Sequence, residues 1–181
     1  MRTPGMTATG AKNLPEKSPF WQFSVQFYAV PGVAPACIAL QDLAGADVNL
    51  LFFLLWNAAL GRKLSEPEVK EIDYLVGVWR NTAVIPLREI RRALKSPQKI
   101  LSPDVTTVFR NRIKAAELEA ERLQQEAMYE LSQTGRFGKE TLPPVEAARA
   151  NIAAYQKILS PLPREALEVV LTAFAKNAAN G

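Results

Sequence analysis

From Phe20 onward, hydrophobic and polar positions recur at helical spacing, and β-branched residues never alternate with polar ones over a strand's length between turn pairs. The pattern predicts an all-α chain. Ser18-Pro19 supplies an N-cap and a proline at the first helical position, opening a helix near Phe20 that Pro31-Gly32 ends. A second helix runs from about Val33 to Ala44, takes Pro35 in its first turn and stops at Gly45. Asp47 caps a third, about Val48 to Leu60, which is apolar on every face and therefore belongs at the centre. Ser65-Glu66-Pro67-Glu68 reads as a capping box for a fourth helix over 65–81, with Val69, Ile72, Val76 and Trp79 on one stripe. Pro86 starts a short fifth helix to Lys95, with Leu87, Ile90 and Leu94 together, that Ser96-Pro97 closes. A long sixth, 103–132, has Phe109, Ile113, Ala116, Ala120, Leu123, Ala127 and Leu131 as its expected inner line. Two more helices follow, over 145–159 and 164–176.

The expected architecture is a single-domain helical bundle of about seven to eight helices around a strongly apolar central helix. Residues 1–18 read as a disordered N-terminal extension and 19–134 as the helical core domain. Residues 135–143, with Gly135, Gly138 and Pro143, read as a linker, and 144–181 as C-terminal helices packing on the core.

Composition sharpens this picture at one segment. Of the 42 residues from Phe20 to Gly61, 29 are apolar, and the only charges are Asp42 and Asp47, so this stretch is the expected core. Its most apolar run, Val48 to Leu60, falls short of the roughly 20 residues a membrane-spanning helix needs. The chain has no histidine, which removes Ser-His-Asp and Cys-His catalysis and the His-bearing zinc sites. Its single cysteine, Cys37, excludes an internal disulfide and a CxxC pair, and sits in an Ala/Ile/Leu run as a small core residue. With no signal-peptide hydrophobic region near the start, the expected compartment is the cytoplasm.

Charge is unevenly spread. Residues 80–114 carry nine Lys or Arg against Glu89 and Asp104, a net of +7, and residues 117–130 follow with a net of −4. Arg88, Arg92 and Lys95 share one helix face with Arg91 beside it. Such a face suits an acidic protein or a membrane-associated partner, and makes a non-enzymatic interaction or adaptor protein the leading expectation. The competing reading is internal, with Glu117, Glu121 or Glu130 pairing with these arginines to dock two helices. Aromatic residues do not interleave with the basic ones, which argues against nucleic acid. The alanines of the long helix leave room for a homodimer.

A second functional class rests on Asp42, Asp47 and Asn49, the polar groups of the apolar segment, together with Trp56. They could present polar groups to a lipid-like or isoprenoid-like molecule in an apolar bundle cavity, as a binding protein or an enzyme. The plainer reading makes Asp47 a helix cap and Asp42 the partner of loop backbone or of an arginine reaching in from elsewhere. No DDxxD, EF-hand, P-loop or GxGxxG pattern occurs, so no catalytic residue, metal ligand or cofactor is expected.

The segments FWQFSVQFY (20–28), PGVAPACIALQDLAGADVNLLFFLLW (31–56), PLREIRRALK (86–95) and KAAELEAERLQ (114–124) resemble, in order and spacing, a group of short proteobacterial proteins sharing a domain of unknown function. The likeness covers about residues 18–160, including NIAAY at 151–155. It implies a compact all-helical cytoplasmic protein and brings no activity, cofactor or catalytic residue with it.

Overall fold

The computed structural model describes residues 17–97, 99–159 and 161–179. Most of the expected N-terminal extension therefore lies outside the described residues. Ser18 does not: it caps the first helix, α1 (Pro19–Tyr28), its Oγ accepting from Trp21 N at 3.1 Å. Gly45, at φ 67°, closes α2 (Val33–Ala44) in the left-handed conformation that favours glycine. Asp47 then caps α3 (Val48–Ala59), accepting from Asn49 N and Leu50 N at 2.9 and 3.3 Å.

Ten of the twelve residues of α3 are buried, as an all-round apolar helix must be. It packs chiefly on α7 (Pro144–Gln156) and also meets α1 and α6 (Pro103–Gln133), while α2 lies on α8 (Arg164–Ala179). Phe20, Phe27, Phe53 and Tyr155 fill the centre. The expected thiol in the core is there too: Cys37 is buried, and burial pushes its thiol up to about 12, which keeps it in the inert protonated form.

The fourth and fifth predicted helices are one. The helix α4 (Glu66–Trp79) passes through a π-helical turn, Arg80–Val84, directly into α5 (Ile85–Ala93), with Ile85 N–H bonded to Arg80 O. The chain thus has seven separate helices among its described residues. The wider turn is what lets the chain run through Pro86, which has no N–H to give and whose ring would crowd a carbonyl one tight turn back. The capping box forms with a twist: both Ser65 N and Ser65 Oγ donate to Glu68 Oε2 at 2.7 Å.

Two short pieces, β1 (Arg62–Lys63) and β2 (Glu140–Thr141), pair antiparallel, a ladder too short for any periodicity to announce. This ladder and the buried ring of Phe137 hold residues 135–143 against the core. Behind it Asn151, fully buried on α7, accepts from Leu64 N and donates to Leu54 O and Arg62 O.

The inner line expected for α6 is only partly inward: Ala120 is buried, and Ile113, Leu123 and Leu131 are half-buried. Phe109, Ala116 and Ala127 are exposed, and from Pro103 to Ala116 only Thr106 is buried. Beside Ala120 and the core residue Met128, the inward face is largely polar: Glu117, Gln124, Gln125, Glu126 and Ser132. The reason is what α6 meets. Asn49 of α3 bonds Gln124 and Gln125, and the free N–H of Ser18 at the start of α1 donates to Glu126 Oε1 at 3.0 Å. No helix among the described residues is long and apolar enough to cross a membrane; α1 and α2 reach that length only together, and bend by 99° where they meet.

Candidate functional site

Helix α5 is narrow in sequence but carries charge on nearly every turn, and the structure spends most of it internally. Arg88 Nε donates to Glu117 Oε1 at 3.1 Å and its Nη2 to Glu121 Oε1 at 2.7 Å. Arg91 grips the same Glu117 through Nε and Nη2, the latter at 3.0 Å. Glu117 lies one turn before Glu121 on α6, so one face of the long helix meets one face of α5 with opposite charge. Arg92 reaches α2 and donates to Asp42 Oδ1 at 2.6 Å. Of the four residues expected to form a basic docking face, only Lys95 stands exposed with no ion-pair partner among the described residues. Glu130 takes no part in this pairing.

The Glu117 knot makes stability pH-dependent. Burial alone would raise the Glu117 carboxyl, but the hydrogen bonds and charges of Arg91 and Arg88 outweigh it and hold the group below the usual glutamate value of 4.5. A lowered folded-state value contributes stability that is present above pH 4.5 and lost as pH falls through the folded-state value. Glu121 acts with the opposite sign, because burial raises its carboxyl more than Arg88 lowers it. Urea midpoints measured between pH 3 and 6 should therefore fall with acid in the native chain and fall less steeply in Glu117→Gln.

A second knot sits deeper. Asp47, besides capping α3, accepts from Arg80 Nη1 at 3.0 Å and from Gln124 Nε2 at 2.7 Å, while its own N–H donates to the Tyr155 hydroxyl at 2.8 Å. Arg80 also donates to Asp73 at 2.7 Å. Burial would lower the Arg80 guanidinium, but Asp47 and Asp73 overcome it and keep the group charged.

Between these knots lies a polar cleft of about 410 Å³, walled by Asp42 and Asp47 from the end of α2 and the cap of α3, Asp73 and Arg80 from α4 and its π turn, Arg88 and Arg92 from α5, and Tyr155. Two of the four expected pocket residues, Asp42 and Asp47, therefore face a cavity, though a polar one at the surface of the bundle. The other two do not. Asn49 is buried between Gln124 and Gln125, and Trp56 packs in the core against Phe20, Phe53 and Tyr129. Sequence reading missed Asp73, Arg80, Asn81 and Tyr155. A signal existed for Arg80, which shares a helix face with Arg88 and Arg92 once the helix is allowed to continue through Pro86. No group of three His, Cys, Asp or Glu placed to hold a metal occurs among the described residues.

Helices α4 and α6 each expose apolar residues. Trp79 Nε1 donates to Ala120 O at 2.9 Å, tying the two helices. Beside this tie Tyr74 is 76% exposed and Val78 68%, and along α6 Val105, Val108 and Phe109 are each about half exposed. Arg112, one turn beyond, is exposed without an ion pair among the described residues.

These features define a compact all-helical domain with an internally paired basic helix and an apolar outer face. The chain belongs to the family described as "Protein of unknown function (DUF2390)", whose model matches residues 19–128. That match spans every element of the two charge knots except Tyr155. No curated protein and no solved structure matches the chain.

Proposed function

We propose that the protein is a cytoplasmic, non-catalytic interaction protein that docks an acidic protein segment on the apolar face of α4 and α6. The observation that carries this reading is the outward line of α6. Val105, Phe109, Arg112 and Ala116 recur at spacings of four, three and four, a packing seam left exposed among the described residues. Tyr74 and Trp79 add the kind of aromatic anchors that dominate binding energy at protein interfaces.

Charge selects the occupant. Across α5, the following loop and the first half of α6, the groups left without ion pairs among the described residues are Lys95, Lys99, Arg110, Arg112 and Lys114 against Glu89 and Asp104. A partner segment with apolar and acidic residues complements that rim. An anionic lipid surface suits it less, because Asp104 and the exposed Glu130 stand on the same helix.

The test is affinity purification from the native cell with wild type, Phe109→Glu and Arg112→Glu. These positions are exposed, so circular dichroism and melting should be unchanged. The reading requires a captured protein whose acidic apolar peptide binds the purified chain, and whose binding weakens at least about tenfold in both variants and with added salt. It fails if the folded variants keep every partner, if Phe109→Glu instead dissociates a homodimer, or if anionic vesicles bind through this face and no protein does.

A further inference from the structure

The geometry points to the cleft between α2, α5 and α7 as a binding site for a small zwitterion of the amino-acid kind, a site separate from the docking face. Its wall carries three guanidinium groups (Arg80, Arg88, Arg92) and three carboxylates (Asp42, Asp47, Asp73), formally neutral in sum yet bearing both signs. A lone anion would meet the aspartates as well as the arginines, and a lone cation the reverse. A ligand bearing both signs meets each with its opposite.

The unused valences point the same way. Arg92 spends only Nη2, on Asp42, and Arg80 spends only Nη1, so both keep donor edges for a carboxylate. Tyr155 is fully buried, and its hydroxyl accepts from Asp47 N–H but has no acceptor for its own proton among the described residues. Asp73 engages one carboxylate oxygen and leaves the other for an ammonium group.

The wall is also held in place before any ligand arrives. Arg88 is fixed by two glutamates and Asp47 by four donors, with side chains 18% and 6% exposed, so little rotamer freedom remains to be lost. The Arg92–Asp42 pair differs, being nearly half exposed on both sides. A pair so open to water is held weakly, and a ligand carboxylate can take the place of Asp42 on Arg92 while its ammonium takes the released aspartate. Val84, Ile85 and Leu159 line the remainder, which suits an apolar side chain on the ligand. The π turn at Arg80–Val84 aims Arg80 and Val84 into this cleft.

Calorimetric titration of the full chain with each of the twenty L-amino acids tests the site. At least one, with an apolar side chain, should bind with Kd below about 1 mM, and its decarboxylated amine and its deaminated acid should each bind at least about tenfold more weakly. Arg92→Gln and Asp42→Asn, both at the exposed pair and so without effect on melting, should each raise Kd about tenfold or more. The inference is overturned if no amino acid binds in that range, if the deaminated acid binds as tightly as the parent, which would make this a plain anion site, or if both folded variants keep the wild-type Kd.

Discussion

Asp47→Ala should lower the urea-unfolding free energy by about 3 kcal/mol, a loss assembled from a helix cap and two stranded donors. The cap contributes about 1 kcal/mol, because Asn49 N and Leu50 N at the start of a largely buried helix lose their acceptor. Gln124, buried, is left with an unaccepted Nε2–H, at a cost of about 1–3 kcal/mol. Arg80 keeps Asp73 and remains partly solvated, so its share is the smallest. Asp47→Asn separates these contributions: the amide oxygen still caps α3, while its –NH2 faces Arg80 Nη1 and Gln124 Nε2 where Oδ2 accepted both, so only the cap's share of about 1 kcal/mol is recovered and a loss of about 2 kcal/mol remains. If Asp47→Ala melts with wild type, the knot beneath the cleft is not holding α3 to α4 and α6.

Asp47 is also where the sequence was most readable. A lone aspartate before a run of thirteen uncharged residues, eleven of them apolar, has one common use, and capping is one of its roles here. The all-round burial of α3 follows from the same run, and the pairing of Asp42 with an arginine from a distant element was one of its two open readings. What periodicity could not supply was the kind of surface each helix meets. A seam of Phe109, Ala116 and Leu123 on α6 implies an apolar neighbour only if the neighbour is apolar at that point. Here α6 meets the polar cap of α3, the start of α1 and the arginines of α5, so Gln124, Glu126 and Glu117 go inward and Phe109 and Ala116 are left outside. Pro86 misled for a different reason. Proline breaks a helix with regular i to i−4 bonding, and one π turn removes the conflict while keeping the rod continuous. With the rod cut in two, Arg80 lost its place beside Arg88 and Arg92, and the cleft could not be assembled from sequence.

The two knots share a consequence for α5. None of its residues is buried, and its helix is tied by part-buried guanidinium–carboxylate pairs to α6. Helix α5 walls part of the cleft and is tied to α6, which carries the docking face. Loss of Glu117 should loosen both at once, whereas Phe109→Glu should touch only the first and Arg92→Gln only the second.

The largest loss of stability is expected at Asn151. Its amide satisfies three backbone groups around the turn that follows α3: Leu64 N at 2.6 Å, Leu54 O at 3.0 Å and Arg62 O at 3.1 Å. Asn151→Leu keeps the volume and strands Leu64 N–H and the Arg62 carbonyl, each at about 1–3 kcal/mol, so a total near 4 kcal/mol is expected. That is a large part of the 5–15 kcal/mol margin of an ordinary domain, and the urea midpoint should collapse accordingly. Asn151→Asp tests the hydrogen-bond argument against a simple packing one. Its carboxylate still accepts from Leu64 N but faces two carbonyl oxygens, which favours the protonated form and raises its folded-state pKa. Stability contributed by a raised carboxyl grows as pH falls, so this variant should gain midpoint between pH 8 and pH 5, where the native chain should not. If Asn151→Asp is equally stable at both values, or Asn151→Leu matches wild type, the amide is not what clasps α7 to the end of α3.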